Sequence, residues 1–416
     1  MLRTLTSPRY AGLILAGAIL AEYGVLPQII ARIDPEIRGA TLLRLSLLST
    51  VGLLLGAYGP WGAIRLHWRR LAVPSIVFHL AVWLPFVAFV VVTFASAPAI
   101  PLVAALRGAG SEEISLLRES FLKAREGWAS SLVYISAILT GSILPYSLAL
   151  MFVRRAWFRW PCLLFLVLYS VSFVEKAYFL KVAIPFIYLV SHRRIRIVFP
   201  TWAVLAATLS VIIGITVASK SDKIGAADRH DFFTVRYEPS GPVDLLIWRA
   251  LAVPVITASD ALRLFDEDFG QRPLRGATSS LLAGVTRVER VPYERMVYAM
   301  EFGQNETGTG SANSVFFTEA YVNFGEAGVV AVALLAGLGL FIFRSSDDEA
   351  FRSLSPLFCF GLFVSGLTGL LFSNGFIVVL GASLVLRVKG GEPARGAPSD
   401  AASPPHVAGV QSNQIP

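Results

Sequence analysis

The chain has 416 residues, of which 55% are hydrophobic and only 15% are charged, and its formal net charge is +8. Soluble domains usually contain about 25% charged residues, so this composition excludes an ordinary soluble protein and indicates a polytopic membrane protein. Much of the positive charge lies in short loops such as "RLHWRR" and "HRRIR", where membrane topology requires it, and no nucleic-acid partner is expected.

Apolar segments recur along the whole chain, and a membrane-crossing helix needs about 20 such residues. The sequence therefore predicts an all-α protein with about ten transmembrane helices. The shortest segments are the two between 160 and 191 and the last one, so their bounds are the least certain. The predicted segments are 10–31, 41–63, 72–96, 130–152, 160–174, 177–191, 199–219, 314–343, 354–372 and 374–387.

Basic residues in alternate loops support this count, because Lys and Arg are enriched in cytoplasmic loops. Ten crossings put both termini on one side, and the loops of that side hold most of the arginines. The short opposite loop at 32–40 balances Arg32 and Arg38 with Asp34 and Glu36. Both termini are therefore predicted to be cytoplasmic. The arginine-rich loops contain Arg3, Arg9, Arg65, Arg69, Arg70, Arg154, Arg155, Arg159, Arg193, Arg194, Arg196, Arg344, Arg352 and Arg387.

Two long loops then face outward, at about 97–129 and 220–313. In the first, Ile114, Leu117, Phe121 and Leu122 recur at helical spacing and predict a surface helix. In the second, Pro242–Phe265 is too polar to span and too apolar for a loop, which predicts one or two re-entrant or interfacial helices. Residues 1–388 form the predicted transmembrane domain, and 389–416 read as a disordered cytoplasmic tail.

Metal and nucleotide motifs are missing from the sequence. There is no HExxH and no CxxC, and "GTGS" at 308–311 lacks the lysine of a P-loop. Asp266–Asp268 has the carboxylate spacing of some metal-dependent sugar transferases, but acidic runs in solvated loops are common. We therefore expect no metal and no cofactor. The sequon form "NET" at 305–307 is attributed to chance.

Ionisable residues at the edge of apolar segments are the functional candidates, since each costs roughly 2.5–3.5 kcal/mol to insert. The candidates are Glu22, Glu175, Lys176, Lys181, Asp244, Arg249 and Glu319. Each also has a structural interpretation. In that interpretation the lysines would reach up to lipid headgroups, and Arg249 would bind a lipid phosphate without taking part in chemistry. Glu319 would be a helix N-terminal acid favoured by the dipole.

All of these candidates except Glu22 are predicted at the outward face. Cations there suit a diphosphate, because arginine forks onto phosphate oxygens and lysine supplies a compact charge. A carboxylate suits a base that accepts the proton of a hydroxyl. We predict Arg249 as the leading diphosphate ligand with Lys176, Lys181 and Arg236, and Glu319 as the base.

Three stretches resemble the Wzy-type oligosaccharide repeat-unit polymerases of bacteria. They are "SFVEKAYFLK", "LLIWRALAVP" and "SVFFTEAYVNFGEAGVVAVALL", and the last is similar to an E-x-Y-x-N-F-G-x-x-G pattern of that family. The resemblance covers about 130–345, and the rest of the chain agrees only in hydropathy. It implies a GT-C-like fold and a metal-independent glycosyltransferase of the bacterial inner membrane.

The resemblance further implies the reaction and the partners. A growing glycan would move from undecaprenyl diphosphate onto the sugar of a second lipid-linked unit at the periplasmic face, forming O-antigen or exopolysaccharide. Donor and acceptor lipids, the bilayer, a chain-length regulator and a flippase are the implied partners. Glu319 and Asn323 would share a helical face towards the cleft, Tyr321 would meet headgroups or a sugar, and Gly325 and Gly328 would allow close helix contact.

Other functions remain open from sequence. An O-antigen ligase is related, but ligases use an outward-loop histidine, and the loop's only histidine, His230, is far from the third stretch. Another lipid-sugar transferase is a further alternative. A lipid flippase or transporter is the rival from another class, although the large outward loop has no counterpart in the other half.

Overall fold

The computed structural model describes residues 2–61, 70–195, 201–220, 232–303, 310–312 and 314–389. His67, His230, the 305–307 sequon, residues 308 and 309 of "GTGS" and the predicted tail beyond Lys389 lie outside the described residues. The described chain is mostly helical, at 74%. Helices that are long and apolar enough to cross a membrane make this an all-α, multi-pass membrane protein.

Six described helices meet the length and composition needed to span a bilayer. They are α2 (Ala11–Ile30), α3 (Gly39–Tyr58), α4 (Ser75–Ala95), α7 (Gly127–Val153), α11 (Pro242–Glu267) and α14 (Phe316–Ser345). Three further helices are also apolar over 10–17 residues, namely α8 (Arg159–Ser172), α10 (Thr201–Lys220, apolar over Thr201–Val217) and α17 (Phe376–Val385).

Shorter elements complete the described structure. The helices are α1 (Leu2–Thr6), α5 (Pro101–Leu106), α6 (Ser111–Arg118), α9 (Lys176–Ser191), α12 (Ser280–Thr286), α13 (Tyr293–Phe302), α15 (Glu349–Arg352) and α16 (Ser355–Val364). Strands β1 (Leu71–Pro74) and β2 (Leu386–Lys389) pair in parallel, with Leu71 opposite Leu386. They are the only sheet in the described chain, and the first two residues of β2 end the segment 374–387 as strand where a helix was predicted.

Each of the ten predicted segments contains a helix, but several helices are not simple spans. Segment 354–372 is divided between α16 and a π-helical turn at Gly369–Ser373, with Ser365 extended between them. The Pro242–Phe265 segment is one continuous helix, α11, and its length and composition are those of a spanning helix. By these criteria the segment is not too polar to span, because its charged residues are spaced widely enough to leave an apolar window. That it lies at the membrane interface or dips into it stays a prediction.

The tightest helix pair is α3 against α14. A Cβ added at Gly52 would lie 2.6 Å from the Val330 carbonyl oxygen, and one added at Gly337 would collide with the Leu53 carbonyl. Small residues allow two helix backbones to touch in a membrane, where van der Waals packing drives association. This contact fixes α14, which carries the main candidate residue.

The loops predicted to be cytoplasmic meet at one end of the bundle. Arg3 Nε donates to the Ser191 carbonyl at 2.7 Å, and the Tyr146 hydroxyl donates to Asp348 at 2.7 Å. Arg194 pairs with Glu349 at 2.6 Å, and β1–β2 lies there as well. This arrangement agrees with the alternating arginine pattern, and the side of the membrane that this end faces stays a prediction.

The first outward loop folds onto the bundle. As predicted, a helix forms there, and Ile114 and Phe121 are 2% and 0% exposed. Phe121 packs edge-on against Phe94 of α4 and Phe173 beyond α8. The helix therefore packs on protein, because its apolar face is matched by aromatic side chains of the bundle.

Candidate functional site

Helix α14 is broken within its first turns, and the break allows a loop to bind beside the candidate residues. Gly325 has φ +67° inside the helix, a conformation that glycine adopts without steric cost. The break removes helical partners from the preceding carbonyls. The carbonyls of Val322 and Asn323 instead accept hydrogen bonds from the backbone amides of Leu274 and Arg275, at 3.0 and 2.8 Å. The loop after α11 is thereby fastened to the first turns of α14.

The Asn323 side chain strengthens this junction. Its Oδ1 accepts from the Gly276 amide at 3.0 Å, and its Nδ2 donates to Thr278 Oγ1 at 2.7 Å and to the Glu319 carbonyl at 2.8 Å. Asn323 is only 1% exposed. The structure places Asn323 next to Glu319 on one face, as the spacing predicts. The Asn323 side chain holds the loop after α11 in place.

The Glu319 carboxylate lies at this junction. Thr278 Oγ1 donates to Glu319 Oε1 at 3.3 Å. On the other side, Gly366 leaves the space that the carboxylate occupies, since a Cβ there would collide with Glu319 Oε2. Glu319 is partly accessible, whereas its neighbours Thr318 and Ala320 are buried. A carboxylate held in place in this way can accept a proton from a substrate hydroxyl.

A second carboxylate, Glu294 of α13, lies within electrostatic range of Glu319. Ser311 Oγ donates to Glu294 at 2.9 Å, and the Ala312 amide donates to the Glu294 carbonyl at 3.0 Å. Burial raises the pKa of Glu294, while the Ser311 hydrogen bond and Arg290 oppose that rise. Sequence analysis missed Glu294 because it lies in the polar outward loop, where a carboxylate gives no signal.

Arg249 lies near the same helix. Tyr298, one turn after Glu294 on α13, and Arg118 of α6 are both within electrostatic range of Arg249. The Arg249 side chain is exposed. It forms no ion pair with any residue whose position the structure describes.

Further cations gather around Glu175, just before α9. Lys123 and Arg118 lie 3.0 and 3.5 Å from Glu175 Oε1, and Lys181 is within electrostatic range of the same carboxylate. Lys181 Nζ also donates to Asn374 Oδ1 at 2.8 Å and lies 5.2 Å from the centre of the Tyr178 ring. We call Arg118, Lys123, Lys181 and Arg249 the basic cluster.

The remaining predicted site residues have other surroundings. Tyr321 packs edge-on against Phe265 of α11, with ring centres 5.7 Å apart, which is a packing role. Arg236 is exposed in the segment before α11, and its neighbours in the chain pack on Trp248. Lys176 begins α9 beside Glu175 and is partly buried. Gly325 acts by breaking the helix and has no heavy atom of another element within 4 Å of an added Cβ.

The other acidic candidates each lie in a different environment. Asp244 accepts hydrogen bonds from the Tyr237 hydroxyl and the Ser240 amide, both at 2.8 Å, at the start of α11. Asp266 pairs with Arg38 at 3.5 Å. Glu22 is 9% exposed within a π-helical turn of α2, and its Oε1 has no hydrogen-bond partner among the described atoms. Among the described residues, no three metal-binding side chains lie close enough together to hold a metal ion.

Comparison with known proteins gives no further guide to identity. No family model, no curated protein and no solved structure matches this chain. The functional argument therefore rests on the geometry of the site and on the resemblance in the three sequence stretches.

Proposed function

We propose that this protein is an integral membrane glycosyltransferase that polymerises lipid-linked oligosaccharide units. The reaction moves a glycan from a polyprenyl diphosphate onto a sugar hydroxyl of a second lipid-linked unit. The bond between the anomeric carbon and the diphosphate oxygen breaks, and a bond to the acceptor oxygen forms. The diphosphate leaves with its negative charge, and the acceptor hydroxyl loses a proton.

The basic cluster supports the donor half of this reaction. It gathers four cations, of which Arg118 and Lys123 pair with the Glu175 carboxylate and Lys181 lies within its electrostatic range, and clustered positive charge attracts a multivalent anion. Arg249 suits the position of direct ligand because it is accessible and has no counter-ion in the described part of the protein. Fixed cations stabilise the charge that grows on a leaving diphosphate.

The carboxylates support the acceptor half. Glu319 takes the hydroxyl proton as general base, a role that contributes about 10²–10⁴-fold. Glu294, within electrostatic range of Glu319, is proposed to accept a hydrogen bond from a neighbouring sugar hydroxyl. Thr278 and Gly366 fix the Glu319 carboxylate, so that the proton acceptor is in place before the acceptor sugar binds.

The observation that carries the proposal is the placement of α13. Glu294 of α13 lies within electrostatic range of Glu319, and Tyr298, one turn later, lies within electrostatic range of Arg249. The candidate base and the candidate diphosphate ligand, 70 positions apart in the sequence, therefore lie near the same helix. An anion site beside a base is the pair of features that glycosyl transfer from a lipid diphosphate needs.

The finer assignment follows the resemblance. We infer a Wzy-type polymerase with a GT-C-like fold in a bacterial inner membrane, with about ten crossings, both termini in the cytoplasm and this site at the periplasmic face. Undecaprenyl-diphosphate-linked units are the proposed donor and acceptor, and a flippase and a chain-length regulator are the proposed partners.

Chain growth by the purified protein tests the proposal. Full-length protein in liposomes is supplied with lipid-linked oligosaccharide on both faces, and products are separated by gel electrophoresis. We expect a ladder of lengthened glycans with release of polyprenyl diphosphate. Unchanged single units, or transport of the lipid between leaflets without lengthening, would contradict polymerisation and favour a flippase. Transfer only onto an added lipid A-type acceptor would favour a ligase.

A further inference from the structure

An open apolar groove runs along the side of the bundle between α8, α9 and α10, with a volume of about 480 Å³. Its lining is hydrophobic apart from Thr208, whose hydroxyl donates a hydrogen bond to the Val204 carbonyl at 2.8 Å. The groove therefore offers contact to a hydrocarbon and no free polar group. The lining residues are Leu163, Val167, Phe179, Val182, Ala183, Phe186, Ala203, Val204, Ala207, Thr208 and Val211.

The outer end of the groove lies under α6. Ile114 of α6 belongs to the same buried cluster as Phe179 and Ala183, which both line the groove. Arg118 follows Ile114 by four residues, and residues four apart are neighbours on a helix surface. The helix that covers the end of the groove thus also supplies a cation of the basic cluster. Arg118 Nε is buried and has no hydrogen-bond partner among the described atoms.

Helix α9 connects the groove to the basic cluster a second time. Phe179 and Val182 line the groove, while Tyr178 and Lys181, in the same turn, belong to the surroundings of Glu175. From Phe179 to Phe186 the lining extends seven residues, or about 10 Å along the helix. The groove therefore begins at the level of the basic cluster and continues along the bundle towards the arginine-rich end.

We infer that this groove holds the hydrocarbon chain of the lipid-linked diphosphate while its diphosphate lies at the basic cluster. The inference rests on the proposed function and adds the place of the lipid. The charge favours this occupant over a bilayer phospholipid, since a phosphodiester brings only one negative charge to the four cations of the basic cluster. A diphosphate brings more charge and leaves less of the cluster unpaired.

Affinity of the protein for the hydrocarbon chain should then depend on the free width of the groove. Each buried methylene contributes roughly a fourfold factor in binding. Ala207 lines the groove and Ala206, its neighbour on α10, does not, and both are exposed. Ala207→Phe places a ring in the groove, whereas Ala206→Phe places the same ring outside it and is the matched control.

The experiment measures binding to the detergent-purified full-length protein. The probes are a long-chain polyprenyl diphosphate, inorganic pyrophosphate and phosphatidylglycerol. We expect Ala207→Phe to weaken binding of the polyprenyl diphosphate by at least about tenfold, because a ring excludes two or more methylenes. Pyrophosphate binding should stay unchanged in this variant, which also shows that the variant is folded, and Ala206→Phe should match wild type for both probes.

Other results separate this inference from the proposed function. If pyrophosphate binds and Ala207→Phe leaves polyprenyl diphosphate binding unchanged, the groove assignment is wrong and the anion site stands. If phosphatidylglycerol displaces polyprenyl diphosphate at equal concentration, the groove is a general lipid contact and the assignment is also wrong. If neither diphosphate binds wild type, the anion site fails, and the groove assignment fails with it.

Discussion

The Glu319 carboxylate lies directly against the Cα of Gly366, in space that any side chain at position 366 would fill. Gly366 belongs to the extended link between α16 and the π-helical turn that follows it, and Glu319 belongs to the first turns of α14. Two apolar segments that are far apart in the sequence therefore meet at one candidate side chain. The position of the carboxylate depends on both.

Gly366→Ala should displace the carboxylate and reduce polymerisation without unfolding the protein, because the end of a flexible side chain can move away from the added methyl group. We expect a loss of roughly tenfold or more, as about 1 Å of misplacement suffices for such losses. The measurement is the rate of chain growth in wild-type and Glu319→Gln backgrounds. If Gly366 acts through Glu319, the alanine causes no further loss in the second background.

Gly369→Ala is the control for this substitution, since a Cβ there meets no other atom within 4 Å. It should retain wild-type activity. Equal losses in the two glycine variants would mean that the segment tolerates no alanine at all, and that Gly366 has no particular relation to Glu319.

Glu319→Gln should lower the rate of polymerisation by at least about 10²-fold, because glutamine keeps the size of the side chain and removes the proton acceptor. The matched control is Glu326→Gln on the same helix, where Glu326 pairs with Arg44 at 3.0 Å on the surface and such pairs contribute little. Activity of the first variant within a few-fold of wild type would make Glu319 a structural residue.

Arg249→Ala should abolish polymerisation while the protein remains in the membrane at normal amounts, since Arg249 has no ion-pair partner whose loss would disturb the described fold. Arg249→Lys should be partly active, because the charge remains and the planar fork is lost. Arg272→Ala, an exposed arginine in the outward loop, serves as control. Full activity of Arg249→Ala would remove this residue from the site.

Glu301 predicts a pH dependence of stability. Burial raises the pKa of Glu301 to about 7, against a weaker lowering by the Thr257 hydroxyl, with Asp260 nearby adding to the rise. The unfolded chain releases this proton near the ordinary glutamate value of about 4.3. The folded protein therefore holds an extra proton between these values, and its stability falls as pH rises towards about 7.

Glu301→Gln should flatten this profile and raise the melting temperature at pH 8, with an effect of order 3 kcal/mol at most. Thermal melting of the detergent-purified protein from pH 4 to 8 gives the comparison. The control is Glu289→Gln, a change at an exposed carboxylate in the same loop. A wild-type profile in Glu301→Gln would show that this carboxyl does not cause the loss of stability as pH rises towards about 7.

Membrane orientation can be tested at two exposed serines, Ser280 before the site and Ser345 at the arginine-rich end. In a variant with Cys162 and Cys359 replaced by serine, an impermeant thiol reagent on intact cells should label Ser280→Cys and leave Ser345→Cys unlabelled. The reverse pattern would place the site in the cytoplasm and contradict the proposed reaction with it.

The sequence by itself determined the class of the protein and part of the site. Low charge and repeated apolar segments determined an all-α membrane protein, because backbone groups in lipid must be bonded within helices. Local spacing also placed Glu319 and Asn323 on one face, and the positive-inside rule predicted which loops meet at one end.

Only the tertiary structure decided which polar groups come together. Thr278 and Gly366 contact Glu319 from two distant parts of the chain, and Glu294 lies within electrostatic range of it. Arg118 of α6 lies within electrostatic range of Arg249. No local pattern encodes these contacts, because they depend on how the helices pack. The packing of Tyr321 against Phe265 is likewise a contact that only the tertiary structure shows, and its predicted contact with a headgroup or sugar stays a prediction.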